Sequence, residues 1–239
     1  MPRFFIPEKP SETIAVTGSD ARHIGYSLRM KTGDKIIFCH GGTDYSCAIE
    51  SMTENEVICR VESSSPALSE PSVNLTIYQA YPKQDKLELI IQKTAELGAC
   101  RIVPFLSARC VARPEKNTYE KKQARFQKIA EEAAKQSGRG RVPEVATIMT
   151  FEEALEDMGH CDLSLLCYEN GGKRFKEMDF PKGGNIGVMI GSEGGFERSE
   201  AEAAEEAGAV PIWLGERILR CETCPIAVTA IIMNLTDNM

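Results

Sequence analysis

The chain has 239 residues, 42% hydrophobic and 26% charged, with a formal net charge of −7, enough for one large domain or two ordinary ones with buried cores. No apolar run approaches the roughly 20 residues that cross a bilayer, and "MPRFFIPEKP" lacks the basic start and apolar centre of a secretory peptide, so a cytoplasmic location is expected. Nine cysteines, mostly inside apolar runs such as "IIFCH" and "SLLCYE", read as small buried hydrophobes and not as a disulfide scaffold.

The N-terminal part reads as mostly β. "DKIIFCHG", "DYSCAIESM" and "EVICRVESS" are short runs rich in β-branched and aromatic residues, separated by "GGT" and "TEN" turns. Their spacing predicts a small barrel or sandwich. "SDARHIGYSLRM" is predicted helical, with Ser19 or Asp20 as N-cap. "SSSPALSEPS", Ser63 to Ser72, is rich in serine and proline and is taken as the boundary. The expected domains are therefore residues 1–69 and 73–239.

Beyond the boundary, strands alternate with helices. "VNLTIYQA" is a strand. "KQDKLELIIQKTAEL" is a helix with Leu87, Ile90, Ile91 and Thr94 on one face, stopped by Gly98. "CRIVPFL" is a buried strand whose proline places it near an edge or an irregularity. "NTYEKKQARFQKIAEEAAKQSG" is a helix starting on Asn117 and Glu120 as a capping-box-like pair, with Phe126, Ile129, Ala130 and Ala133 inward. "DLSLLCYE", "NIGVMIG" and "VPIWLG" are further strands. Ser199 and Glu202 are expected to cap an alanine-rich helix that Gly208 closes, and "PIAVTAIIMNLTDNM" is the last helix. This alternation implies a mainly parallel α/β sheet with helices on both faces.

Charge is split along the chain. Residues 101–143 carry 11 Lys and Arg against 4 Asp and Glu; from Thr150 onward the count is 7 against 17. Such asymmetry marks either a basic footprint on an acidic protein or a solvated helix face.

"IGSEGGFERSE", "WLGERILR" and "LLCYENGG" each fall at the carboxyl end of a strand, where such sheets bind ligands. Glycines there let backbone approach a ligand without a Cβ in the way. Phosphate signatures are missing: there is no GxxxxGK[ST], "GSEGG" is not GxGxxG, and Glu193 would repel a phosphate. An acidic loop suits a cationic or hydroxyl-rich ligand, and S-adenosylmethionine, with a sulfonium and a ribose, is consistent with it. "CETC", Cys221 to Cys224, is a lone CxxC. Zinc would require two further ligands at suitable spacing, and none is evident, so packing at the start of the last helix is expected, with Cys221 close enough to the loop to be oxidation-sensitive.

Taken together, "MPRFF", "HIGYSLRMKTGD", "KLELIIQKTAELGACRIVPFLSARC", "RFQKIAEEAAKQSGRGRVPEV", "IGSEGGFERSE" and "LGERILRCET" resemble, nearly end to end, the small-subunit ribosomal RNA methyltransferase E family. These are uracil-N3 methyltransferases of the SPOUT superfamily. The resemblance implies a PUA-like or OB-like β-barrel for RNA, then a SPOUT domain with a C-terminal trefoil knot, acting as a homodimer on 16S ribosomal RNA of the small subunit. It implies S-adenosyl-L-methionine held by Tyr168, Glu169, Ile190, Gly191, Glu193, Gly194, Gly195, Leu214, Gly215, Ile218, Leu219 and Arg220. Two positions depart from the family pattern: Ser192 stands where proline is usual, and Cys224–Pro225 follow "LRCET" where alanine is usual.

Uridine N3 carries its proton at neutral pH, so methylation requires a base or a cationic donor near O2 or O4. Arg220 is the expected donor, its alternative being a helix-cap or dimer salt bridge. Glu193 and Glu222 are candidate bases or orienters. Arg3, Arg22, His23 and Arg29 in the first domain, and Lys83, Lys86, Arg109, Arg139 and Arg141 in the second, are the candidate RNA contacts, with His23 alternatively a core histidine. No metal and no membrane is expected. Two other readings stay open: an RNA-binding SPOUT relative without activity, and a CxxC redox or zinc protein.

Overall fold

The computed structural model describes residues 1–239 apart from the side chain of Lys116. The chain divides into two compact units, Met1–Glu70 with Ala134–Val142, and Pro71–Ala133 with Pro143–Met239. No helix among the described residues is long and apolar enough to cross a membrane.

The first unit holds β1 (Arg3–Phe5), β2 (Thr13–Thr17), α1 (Gly18–Arg22), a π turn (His23–Ser27), β3 (Lys35–His40), β4 (Thr43–Met52) and β5 (Glu56–Pro66). The strands form one mixed sheet in the order β1-β3-β4-β5-β2, with β1 and β3 parallel and the other pairs antiparallel. It is a curled half-barrel. Strand alternation puts Ile14, Val16, Ile36, Phe38 and Val57 into one core. Register shifts between Ser46 and Cys47 and between Ile49 and Ser51 interrupt the β4–β5 ladder, and such bulges bend a strand and raise its twist.

Two local expectations are corrected here. Ser63, Ser64 and Ser65 are strand residues paired with Ser46, Tyr45 and Asp44, because an antiparallel ladder accepts polar residues where one face is solvated. The helix after β2 starts at Gly18 with Thr17 as N-cap, then widens into the π turn, where the Leu28 amide donates to the His23 carbonyl at 2.9 Å.

The second unit runs β6 (Val73–Ala80), α2 (Lys86–Glu96), β7 (Arg101–Leu106), α3 (Lys116–Gln136), β8 (Glu144–Val145), β9 (Met149–Thr150), α4 (Phe151–Met158), β10 (Leu163–Cys167), β11 (Gly184–Ile190), α5 (Arg198–Glu206), β12 (Val210–Ile212) and α6 (Thr223–Leu235). Its sheet is parallel throughout, ordered β12-β10-β11-β6-β7-β8, with β9 also pairing β7. Pro104 falls between the β8 and β9 pairings, at Arg101–Ile102 and Phe105–Leu106, so its missing N–H breaks no ladder bond. Alternation sorts the core by face. Val73, Leu75 and Ile77 join Val228 and Ile232 of α6; Tyr78 and Ala80 join Leu87, Phe126, Ala154 and Ala201 from α2, α3, α4 and α5. Full burial of one such Val or Ile contributes about 1.5–3 kcal/mol.

Helix starts differ from expectation by two or three residues. α3 begins at Lys116, with the Thr118 and Tyr119 amides on the Glu115 carbonyl, which puts Asn117 inside the first turn. α5 is capped by Glu197, whose amide donates to Glu200 Oε2 at 2.9 Å; Ser199 lies inside the helix. α4 escaped the sequence reading altogether. Its signal was present as Thr150 and Glu153, which form a reciprocal capping box.

An ion pair ties α4 to the sheet. Asp157 Oδ2 accepts from Tyr78 Oη and from Arg101 Nη1, both at 2.6 Å. Burial opposes the charge on Asp157, but these two donors prevail and hold its carboxyl below the usual range. Asp157→Ala is expected to cost about 2–3 kcal/mol, read as a lower urea midpoint. Because the folded-state value is the lower one, this contribution is present above the unfolded carboxyl's pKa of about 3.9 and lost as pH falls through the folded value. Equal midpoints for the variant and the parent at pH 7 would refute it.

Candidate functional site

Three neighbouring strands end in one row. Cys167, the last residue of β10, lies in register with Ile190, the last of β11, and with Ile212, the last of β12. The loops that follow therefore leave the sheet side by side. They enclose a cavity of about 680 Å³. Tyr168 and Glu169 line it from the first loop. Gly191, Glu193, Gly194 and Gly195 line it from the second, with Ile190 at its root, and Leu214, Gly215, Ile218, Leu219 and Arg220 from the third. The structure thus gathers every residue that the family resemblance assigned to a cofactor. Trp213, Phe196 and Lys86 also line the cavity and were not in that set.

The glycines answer first to protein atoms. A Cβ on Gly191 would stand 3.0 Å from the Gly195 Cα, and one on Gly194 would stand 2.9 Å from the Arg109 Cβ. Gly195 sits at φ +66°, where a Cβ would meet the Glu169 carboxylate at 2.9 Å. The Gly195 amide donates to the Ser192 carbonyl at 3.0 Å, closing a tight turn. Absent side chains here let the loop fold on itself and leave its inner face to the cavity.

Charge in the site is organised around one lysine. Lys86 Nζ stands 2.9 Å from Glu193 Oε1 and 3.2 Å from Glu222 Oε2. The Lys83 amide also donates to Glu193, at 3.1 Å. The hydrogen bond to Glu193 raises the Lys86 pKa above its ordinary value, against the effect of burial, and Glu222 adds to it. Burial opposes ionisation of both carboxyls, yet their hydrogen bonds hold Glu193 and Glu222 below the usual carboxylate range. Glu222 does not line the cavity; it reaches the site through Lys86.

Arg220 is arranged differently. Its backbone carbonyl accepts from the Thr223 and Cys224 amides at 2.9 and 3.0 Å, starting α6. Its side chain lines the cavity, is exposed and makes no ion pair among the described residues. The guanidinium is therefore available to a ligand.

The CxxC pair is buried at the start of α6. The Cys221 thiol donates to Glu222 Oε2 at 3.2 Å. Burial, then this hydrogen bond, pushes its pKa up to about 12. A raised thiol pKa disfavours the reactive thiolate at neutral pH, which argues against an oxidation-sensitive Cys221. Among the described residues, no three His, Cys, Asp or Glu side chains gather as a metal ion would require.

Residues 69–233 match the RNA methyltransferase domain family, and residues 16–62 match the RNA methyltransferase PUA domain family. A ribosomal RNA small subunit methyltransferase E from Bacillus subtilis is 36% identical over 97% of this chain and 93% of its own length. The chain belongs to the ribosomal RNA small subunit methyltransferase E family. Two solved structures extend the likeness to the fold. A methyltransferase E from Neisseria gonorrhoeae, bound to S-adenosylmethionine, superposes with a TM-score of 0.90 at 32% identity over 98% of each chain. A methyltransferase from Legionella pneumophila in complex with the same cofactor gives 0.85 at 26% identity over 97% and 96%.

Both departures from the methyltransferase E pattern have local accounts. Ser192 uses its hydroxyl to donate to the Arg109 carbonyl at 3.4 Å, and Arg109 Nη1 donates back to the Gly194 carbonyl at 3.1 Å. Pro225 is the third residue of α6, where a backbone N–H would lack an intrahelical acceptor in any case.

The RNA candidates separate into two groups. Arg3 is bonded to both Asp44 oxygens, at 2.6 and 2.8 Å. Arg139 is only 2% exposed and is held by Glu70. Both are corrected to structural roles within the first unit, since each guanidinium is largely buried and paired with one carboxylate. Lys86 is committed to the cavity cluster. Arg22, His23, Arg29, Lys83, Arg109 and Arg141 are exposed. His23 is no core histidine; it meets the Phe4 ring edge-on at 5.9 Å. Sequence reasoning passed over Tyr26, which is 64% exposed on the π turn between Arg22 and Arg29, although an aromatic among basic residues is a recognisable base-stacking pattern.

Proposed function

We propose that this protein is an S-adenosylmethionine-dependent methyltransferase that methylates N3 of a uridine in 16S ribosomal RNA of the small subunit. It works in the cytoplasm as a homodimer, with residues 1–69 serving RNA binding and residues 73–239 the reaction. The observation that carries this reading is the cavity at the row of strand ends, with Arg220 on its wall making no ion pair among the described residues.

The residues suit the cofactor. The cavity volume lies within the range of about 300–1,000 Å³ usual for small-molecule sites. Its glycine turn exposes backbone to a ligand, and Glu169 and Glu193 offer carboxylates to hydroxyls and to positive charge. When bound, S-adenosylmethionine supplies an activated methyl group on its sulfonium.

The protein's own task is to make uridine N3 nucleophilic. Arg220 donates to a uracil carbonyl oxygen and stabilises the negative charge that develops as N3 gives up its proton. Glu193 is already engaged by Lys86 and the Lys83 amide. Its role is to fix the loop and to hold negative charge in the cavity, and the N3 proton passes to water. Exposed Arg22, His23, Arg29, Lys83, Arg109 and Arg141 supply the RNA footprint, joined by Tyr26. Their phosphate contacts make affinity fall with salt.

Calorimetric titration with S-adenosylmethionine, followed by nucleoside analysis of small-subunit particles incubated with protein and cofactor, tests the proposal. Binding and N3-methyluridine are expected. Binding of RNA with neither cofactor binding nor product would instead favour the inactive RNA-binding relative.

A further inference from the structure

Three loops meet at the cavity, and among the described residues no backbone ladder joins the second to the third. Glu193 belongs to the turn after β11, and Glu222 to the segment that opens α6. The group between them comes from a third place, the first residue of α2. Lys86 Nζ reaches Glu193 at 2.9 Å, Glu222 at 3.2 Å and the Cys221 sulfur at 3.7 Å. An ammonium has three N–H donors, and these three neighbours account for all of them. Lys86 therefore has no donor left for substrate, although it lines the cavity.

We propose that Lys86 is a positioning residue: a single cation that clamps the Glu193 loop to the Glu222 segment and so fixes the wall on which Arg220 stands. This rests on the methyltransferase reading above. Arg220 lies two residues before Glu222, and the Arg220 carbonyl starts α6. A clamp on Glu222 thus acts directly on the guanidinium's anchor. Lysine suits the place, since its compact charge on a flexible stem can serve carboxylates from two directions, whereas a planar guanidinium favours one carboxylate bidentately.

The charge balance makes the clamp testable by pH. The groups facing Lys86 are Glu193, Glu222 and the Cys221 thiol; Glu193 also faces the Lys83 amide. With the lysine present, both carboxylates remain ionised against the opposition of burial. Without it, two carboxylates share one partly buried place, and one of them retains a proton to higher pH. The loops then lose their common partner, and once both carboxyls are ionised their like charges push the Glu193 turn and the Glu222 segment apart.

The experiment compares the intact protein with Lys86→Met. Side-chain carboxyls labelled with ¹³C are titrated by NMR without cofactor or RNA, and the pH dependence of kcat/KM is measured on small-subunit particles. In Lys86→Met, one of the two glutamates should titrate about 1–2 pH units higher, and kcat/KM should fall further below the parent's as pH rises through that titration. Lys86→Arg should restore one carboxyl titration more fully than the other and recover only part of the rate. Unchanged titrations and a pH profile of kcat/KM coincident with the parent's, in a folded variant, would overturn the clamp. Should Lys86→Met not fold, Glu222→Gln decides. It leaves Lys86 to Glu193 alone and should lower the Glu193 titration further; an unmoved Glu193 refutes the shared clamp. Absence of N3-methyluridine with the parent protein would count against the proposed function, whereas the NMR titration still judges the clamp.

Discussion

Arg220→Ala is expected to slow methyl transfer by about 10²–10³-fold, the usual loss when one donor to a developing anion is removed. The protein should remain folded, because α6 is started by the Arg220 carbonyl and not by its side chain. Removing the guanidinium leaves no orphaned carboxylate either, since it makes no ion pair among the described residues. Affinity for S-adenosylmethionine should change little by comparison, so the loss falls on turnover and not on cofactor binding. Arg220→Lys should restore charge without the planar fork and recover only part of the rate. Single-turnover methylation of small-subunit particles at saturating cofactor reads the effect. A parent-like rate for Arg220→Ala would remove Arg220 from the chemistry and turn attention to Arg217, the other arginine on the cavity wall.

Different parts of the molecule were legible in the sequence for different physical reasons. The sheet strands announced themselves because parallel strands buried on both faces are continuous apolar runs; "NIGVMIG" became β11 and "VNLTIYQA" became β6. The cavity was legible because strand ends in such a sheet share one edge, so a glycine turn, an acidic loop and an arginine loop had to come out together. Helix starts were less so. Ser199 and Asn117 are good caps by composition, yet Glu197 and Glu115 took those places, since the chain enters each helix from a fixed strand end. The roles of Arg3 and Arg139 depended on partners 41 and 69 residues away, Asp44 and Glu70, and no local pattern reports such distances. Nor does sequence place residues 134–142 with the first unit. The trefoil knot was an implication of family resemblance alone, for ordinary chain-path rules argue against threading. Cys221 illustrates another case: a lone CxxC reads as packing, and burial beside Glu222, which raises the thiol's pKa, fits that reading.

Gly195→Leu is expected to abolish S-adenosylmethionine binding while leaving the sheet intact. Two effects add. The first is backbone strain: at φ +66° a residue with a Cβ costs about 1–2 kcal/mol more than glycine. The second is occupancy: the first side-chain carbon already stands 2.9 Å from one Glu169 oxygen and 3.2 Å from the other. A leucine must push Glu169 aside or lie across the cavity that both residues line. Neither effect breaks a strand ladder, because the turn from Gly191 to Gly195 lies beyond the last residue of β11. The melting temperature should fall by only a few degrees, as a loss of this size implies. Gly195→Ala separates the two contributions, since it carries the strain without the branched bulk, and it should weaken binding without abolishing it. Calorimetry with S-adenosylmethionine, alongside a thermal melt by circular dichroism, provides the check. Parent-like affinity in Gly195→Leu would mean that the cofactor does not lie against this turn, and that the glycines serve only the loop's own fold against Arg109 and Glu169.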